Sequence, residues 1–103
     1  MKFVQTIRFS TTRIDDITAM SNEFDEQQGS QAPGFLGVKI LKNRDRENAY
    51  VVVAEFESYE QAMENSARPE TDAFAKRMAE LVDGQPGFDN YDVINERGPG
   101  AQG

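Results

Sequence analysis

The segment Ala49-Tyr50-Val51-Val52-Val53-Ala54-Glu55-Phe56-Glu57-Ser58-Tyr59-Glu60-Gln61-Ala62 decides the fold. Tyr50 to Phe56 is the most β-prone run in the chain, because β-branched and aromatic side chains fit a pleated, half-buried surface. The run is apolar at both parities, which predicts a central strand over Ala49 to Glu57, covered on both faces. Ser58 followed by Gln61 reads as a capping box, so a helix is expected to begin at Tyr59. A strand therefore runs into a helix with almost no linker.

Upstream, the charged loop Asn43 to Asn48 joins this strand to another, Phe35 to Lys42, in which Leu36, Val38 and Ile40 alternate. Ala32-Pro33-Gly34 is a turn. Further back, Phe3 to Phe9 alternates as a first strand, with Phe3, Gln5, Ile7 and Phe9 on one face and Val4, Thr6 and Arg8 on the other. Between them, Thr12-Arg13-Ile14-Asp15 predicts a capping box, and Ile14, Ile17, Met20 and Phe24 form one helical stripe ending near Gln28-Gly29. Downstream, Arg68-Pro69 breaks the second helix, since proline disfavours helix before it and suits a first turn after it. Phe74, Met78 and Leu81 line the second piece, and a last strand is expected over Phe88 to Glu96 after a Pro86-Gly87 turn. The order is βαββαβ: an α+β, ferredoxin-like fold with a four-stranded antiparallel sheet. Residues 1–96 form one domain, and 97–103 read as a flexible tail.

Two helices on one sheet face leave the other face bare. A monomer would then expose several hundred square ångström of apolar surface, which soluble monomers rarely tolerate. The expected assembly is a homodimer in which two sheets pack together and close an α+β barrel.

Absences narrow the chemistry. The 103 residues contain no cysteine, histidine or tryptophan. This removes thiolate nucleophiles, Ser-His triads, imidazole metal sites and a proximal haem ligand, leaving Asp, Glu, Tyr, Lys or a substrate group as general base. The acidic pairs Asp15-Asp16 and Glu70/Asp72 lie in first helical turns, where they stabilise the helix, so no metal site is expected. With 18 acidic and 11 basic residues the net charge is -7, which disfavours nucleic acid and anionic membranes as partners. No apolar run approaches the roughly 20 residues of a membrane span, and the start lacks a signal-peptide pattern, so a cytoplasmic location is the expectation.

Pro33-Gly34-Phe35, Glu55-Phe56-Glu57-Ser58-Tyr59-Glu60-Gln61-Ala62, Arg68-Pro69-Glu70 and the closing strand Phe88 to Val93 together resemble the dimeric α+β barrel superfamily. The likeness is to its antibiotic biosynthesis monooxygenase-like branch and covers about residues 1–96. It implies oxidation of a phenolic or quinol-type molecule in a cavity between sheet and helices. It also implies that no cofactor is needed, the electron-rich substrate itself reducing oxygen. Such a cavity needs an aromatic lining and a polar group that favours the deprotonated substrate. Candidates for the chemistry are Arg8 as a cation near an oxyanion, Asn90 as a hydrogen-bond donor, Tyr91 as an acid/base or orienting hydroxyl, and Glu55 as a base. Tyr50, Phe35 and Phe74 are the candidates for binding an aromatic substrate. Each has a plainer reading, with Arg8 and Glu55 as a cross-strand ion pair and the aromatic residues as core.

The resemblance is also specific in what it excludes. Haem-degrading, chlorite dismutase-like and dye-decolorising relatives depend on a histidine that this chain lacks, and the quinone-forming oxygenases tend to use a tryptophan that is absent too. Two readings therefore stand beside the oxygenase: a non-catalytic or stress-associated dimer holding a small apolar or aromatic ligand, and a barrel whose interior is filled by its own side chains.

Overall fold

The computed structural model describes residues 1–28 and 31–99. Seven elements follow in order: β1 (Phe3–Ser10), α1 (Ile14–Gln28), β2 (Phe35–Lys42), β3 (Ala49–Phe56), α2 (Tyr59–Ser66), α3 (Pro69–Leu81) and β4 (Asp83–Asp92). The strands make one antiparallel sheet in the order β2-β3-β1-β4. β1 and β3 are central, as the two-sided apolar character of Tyr50 to Phe56 requires.

Register decides which parity faces the helices. Phe3 lies opposite Phe56, Ile7 opposite Val52 and Phe9 opposite Tyr50. These residues carry the packing: Phe9, Ile17, Met20, Tyr50 and Met78 form one buried cluster, and Phe3, Phe56 and Ala62 a second. The stripes of α1 and α3 meet over the sheet, where Phe24 and Phe74 approach to 4.7 Å between ring centroids. The other parity, Val4, Thr6 and Arg8 on β1 with Val51, Val53 and Glu55 on β3, has no helix above it.

Most of the expected caps and turns are present. The Ser58 hydroxyl accepts the Gln61 backbone N–H at 3.2 Å and donates to Gln61 Oε1 at 3.0 Å. Gly34, at φ +66°, lies against that glutamine; a β-carbon there would come within 2.6 Å of Gln61 Cδ, so the proline-glycine turn fits only glycine. Pro69 opens α3 as its first residue.

Two local expectations are corrected. The residue that ties the start of α1 is Thr11 rather than Thr12. The wholly buried Thr11 hydroxyl accepts the Arg13 N–H at 2.9 Å and donates to the Leu81 carbonyl at 2.7 Å. It thus joins the end of β1 to the end of α3, a tertiary demand that local spacing does not report. The last strand also begins five residues early, at Asp83, and ends at Asp92. Pro86 and Gly87 lie inside it, which an edge strand tolerates because one side of its backbone needs no ladder partner. A register shift between Arg8 and Ser10 absorbs the irregular stretch. Of the tail, residues 100–103 lie outside the described residues, as does Gly29 at the expected end of α1.

No described helix is long and apolar enough to cross a membrane. Among the described residues there is also no group of three or more Asp, Glu, His or Cys side chains able to hold a metal ion.

Candidate active-site cleft

Strand order brings distant segments together at one end of the sheet. Phe3 is paired on one side with Phe56, directly before the α2 cap, and on the other with Asp92 at the end of β4. The first turn of α2 and the last turn of β4 thus flank the start of β1. Between them opens a cleft of about 530 Å³, lined by Met1, Phe3, Ser58, Tyr59, Glu60, Asn90, Tyr91 and Asp92. A single aromatic ring with substituents fits this volume.

Phe3, only 2% exposed, is its apolar floor. Tyr59 stands edge-on to the Phe3 ring, with centroids 5.3 Å apart and planes at 78°, and is 49% exposed, while Tyr91 is 53% exposed. Tyr59 therefore offers ring surface to whatever enters the cleft, and Tyr91 borders it from the edge strand. Asn90 is held from below: Gln5 Nε2 donates to Asn90 Oδ1 at 3.2 Å. With its oxygen engaged as acceptor, the Asn90 amide nitrogen is left to donate. A donor beside an aromatic floor is what stabilising a phenolate oxygen requires.

The seven residues singled out in the sequence divide between two faces and the core. Asn90 and Tyr91 come together in the cleft. Arg8, Glu55 and Tyr91 share the helix-free parity of the sheet, and Tyr91, on the edge strand β4, also borders the cleft. Arg8 and Glu55 do not pair. Arg8 lies opposite Val51 and Glu55 opposite Val4, four positions apart on β3 and so roughly 13 Å along the strand. Instead Arg8 Nε donates to Asp89 Oδ2 at 3.0 Å, its guanidinium lying over Gly87, where a β-carbon would be 2.6 Å from Nη2. Glu55 is 4.0 Å from Lys2 Nζ, which binds Glu96 more closely at 3.1 Å. That bond to Glu96, and then its charge, raises the Lys2 ammonium above the ordinary lysine pKa. These pairs are exposed and screened by solvent, so they contribute little to stability.

Tyr50, Phe35 and Phe74 are placed in packing, apart from the cleft. Tyr50 is stacked on Phe9 at 5.7 Å in the main core, Phe35 packs edge-on against Phe56, and Phe74 meets Phe24 between the helices. Met1, Phe3, Ser58, Tyr59, Glu60 and Asp92 line the cleft without having been read as site residues. Tyr59 gave no separate signal in the sequence, since it stands at i with Ala62 and Met63 at i+3 and i+4 on the apolar stripe of α2.

The sequence model of the antibiotic biosynthesis monooxygenase family matches residues 3–71, well over half of the chain. The chain belongs to that family. No curated protein matches it significantly. Among solved structures, SnoaB, a cofactor-independent oxygenase from Streptomyces nogalater, is similar over 92% of this chain and 95% of its own, at 17% identity and a TM-score of 0.77. A Caulobacter crescentus protein provisionally assigned to the family matches over 91% of each chain, at 12% identity and a TM-score of 0.79. One from Nitrosomonas europaea, likewise provisionally assigned, matches over 94% of each chain at 14% identity and a TM-score of 0.76. At these identities the structural likenesses establish the shared fold of the family, and the chemistry has to be argued from the cleft.

Proposed function

We propose that this family member is a cofactor-independent monooxygenase acting on a small phenolic or quinol-type molecule held in the cleft over Phe3. The observation that carries the reading is the Gln5-oriented Asn90 amide beside Phe3, Tyr59 and Tyr91. Family membership and the likeness to an oxygenase that uses no cofactor support it. In this reading Asn90 donates to the substrate oxygen and favours its anionic form. The anion supplies electrons to dioxygen, and a C–O bond forms at a ring C–H carbon. Cleavage of the peroxide O–O bond with loss of that carbon's hydrogen leaves a quinone carbonyl and releases the second oxygen atom as water. In this reading Tyr59 and Tyr91 orient the ring, and the Tyr91 hydroxyl serves as the acid/base group.

The helix-free sheet face supports a second element of the proposal, a homodimer. Val4, Val51 and Val53 are half-buried there and Leu41, at the same parity beside Val51, is 47% exposed. Two such faces in contact would remove these groups from water.

Oxygen uptake with a series of hydroquinones tests the enzymatic reading. Asn90→Ala is expected to reduce the rate about tenfold or more, as loss of a donor to developing negative charge does. Lys42→Ala, on the far edge strand, leaves it unchanged. Uptake with none of the substrates, together with a small molecule retained in native mass spectrometry, would instead establish a binding protein.

A further inference from the structure

The charge of the cleft, taken with its aromatic walls, selects among the molecules the reading above would admit. Two of the eight lining residues, Glu60 and Asp92, carry carboxylates, and none carries a basic side chain. The side chains lining the cleft therefore sum to a negative charge. Lys2, between Met1 and Phe3 in the chain, has its ammonium bound to Glu96 at 3.1 Å and 4.0 Å from Glu55. Arg8 is held by Asp89 at the helix-free parity of the sheet. A carboxylate entering the cleft would meet Glu60 and Asp92 with no side-chain cation to receive it.

The walls favour the opposite charge for a second reason. Tyr59, packed edge-on against Phe3, is about half exposed, and the negative face of an aromatic ring attracts an ammonium within about 6 Å. Carboxylates beside an exposed tyrosine ring are complementary to an organic ammonium. The net charge of -7 adds a long-range field of the same sign.

We propose that the cleft takes a phenolic molecule bearing an amine, an aryl-alkylamine, and discriminates against phenolic acids of the same size. This deepens the oxygenase reading and rests on its choice of cleft. The ring lies over Phe3 with a hydroxyl on Asn90, and the ammonium is directed to Glu60 and Asp92.

Three catechols with short side chains of different charge test it: dopamine, 4-methylcatechol and 3,4-dihydroxyphenylacetate. Each is titrated anaerobically into the full chain at low salt, following protein amide shifts by NMR, so that binding is read without turnover. The expected order of affinity is dopamine, then 4-methylcatechol, then 3,4-dihydroxyphenylacetate, with about tenfold between the first and last, the scale of two partly exposed charge contacts. In Glu60→Gln/Asp92→Asn the order is expected to collapse, while 4-methylcatechol binds as before. Raised salt should compress the series and spare the neutral member. Equal affinities, or a preference for the acid, would overturn the charge assignment and leave the aromatic cleft standing. An unchanged order in the double variant would overturn the role of these two carboxylates. Binding of none of the three would remove the cleft reading, and this inference with it.

Discussion

Replacing Phe3 with alanine is expected to lower the unfolding free energy by about 3–5 kcal/mol, the range for truncating a buried aromatic side chain. Phe3 is 2% exposed and packs with Phe56 and Ala62, with Tyr59 edge-on against its ring. The loss combines the transfer term with a cavity that β1 cannot close, because its backbone is fixed on both sides by β3 and β4. Urea unfolding should show a lower midpoint with an unchanged slope. Phe3→Leu should recover much of the stability while still lacking the ring that floors the cleft, so it separates folding from ligand binding. A loss below about 1 kcal/mol in Phe3→Ala would show that the second core cluster is not packed as described.

The second large effect concerns assembly. Val53 lies between Thr6 and Lys39 in the middle of the helix-free face. Val53→Asp would place a carboxylate at the centre of the proposed dimer contact, where an unpaired buried charge costs about 3–5 kcal/mol, or on the order of 10²- to 10³-fold in dissociation constant. Sedimentation equilibrium is expected to show a dimer for the native chain and a monomer for this variant, with helical content retained. The carboxylate would not enter the core, because residue 53 has the parity away from the helices. A monomeric native chain, or a variant that still dimerises, would contradict the assignment of this face.

Sequence pattern was informative wherever a local rule and the tertiary fold agree. Tyr50 to Phe56 is apolar at both parities and is central. Ser58 and Gln61 cap α2 as their spacing predicts, and Pro69 starts α3. The pattern misled where a distant partner overrode local spacing. Thr11 is selected over Thr12 because its hydroxyl also reaches the Leu81 carbonyl, 70 residues away in sequence. Asp83 to Gly87 contains two glycines and a proline and reads as a turn, yet pairing along the edge of β1 draws it into β4.

The site was only partly legible for the same reason. Asn90 and Tyr91 stand out as polar and aromatic residues on a strand. Tyr59, Glu60 and Asp92 gain their meaning from topology, which sets the α2 cap across Phe3 from the end of β4. Arg8 and Glu55 looked like partners because their strands are adjacent, and register then set them four positions apart, each with a different counter-ion. Tyr50, Phe35 and Phe74 have the composition of a pocket wall, yet Tyr50 is buried in the core and Phe35 and Phe74 pack partly buried against the two clusters. Composition cannot distinguish these two fates, because both demand large apolar surface.

The measurement that bears most directly on the central claim is an amide-resolved NMR map of the native chain during addition of 4-methylcatechol under anaerobic conditions. The account predicts saturable shifts concentrated at Phe3, Ser58 to Glu60 and Asn90 to Asp92. A second groove lies between α1 and α3, lined by Phe24, Phe74 and Arg77 among others; shifts confined to it, or no saturable shifts at all, would contradict the account.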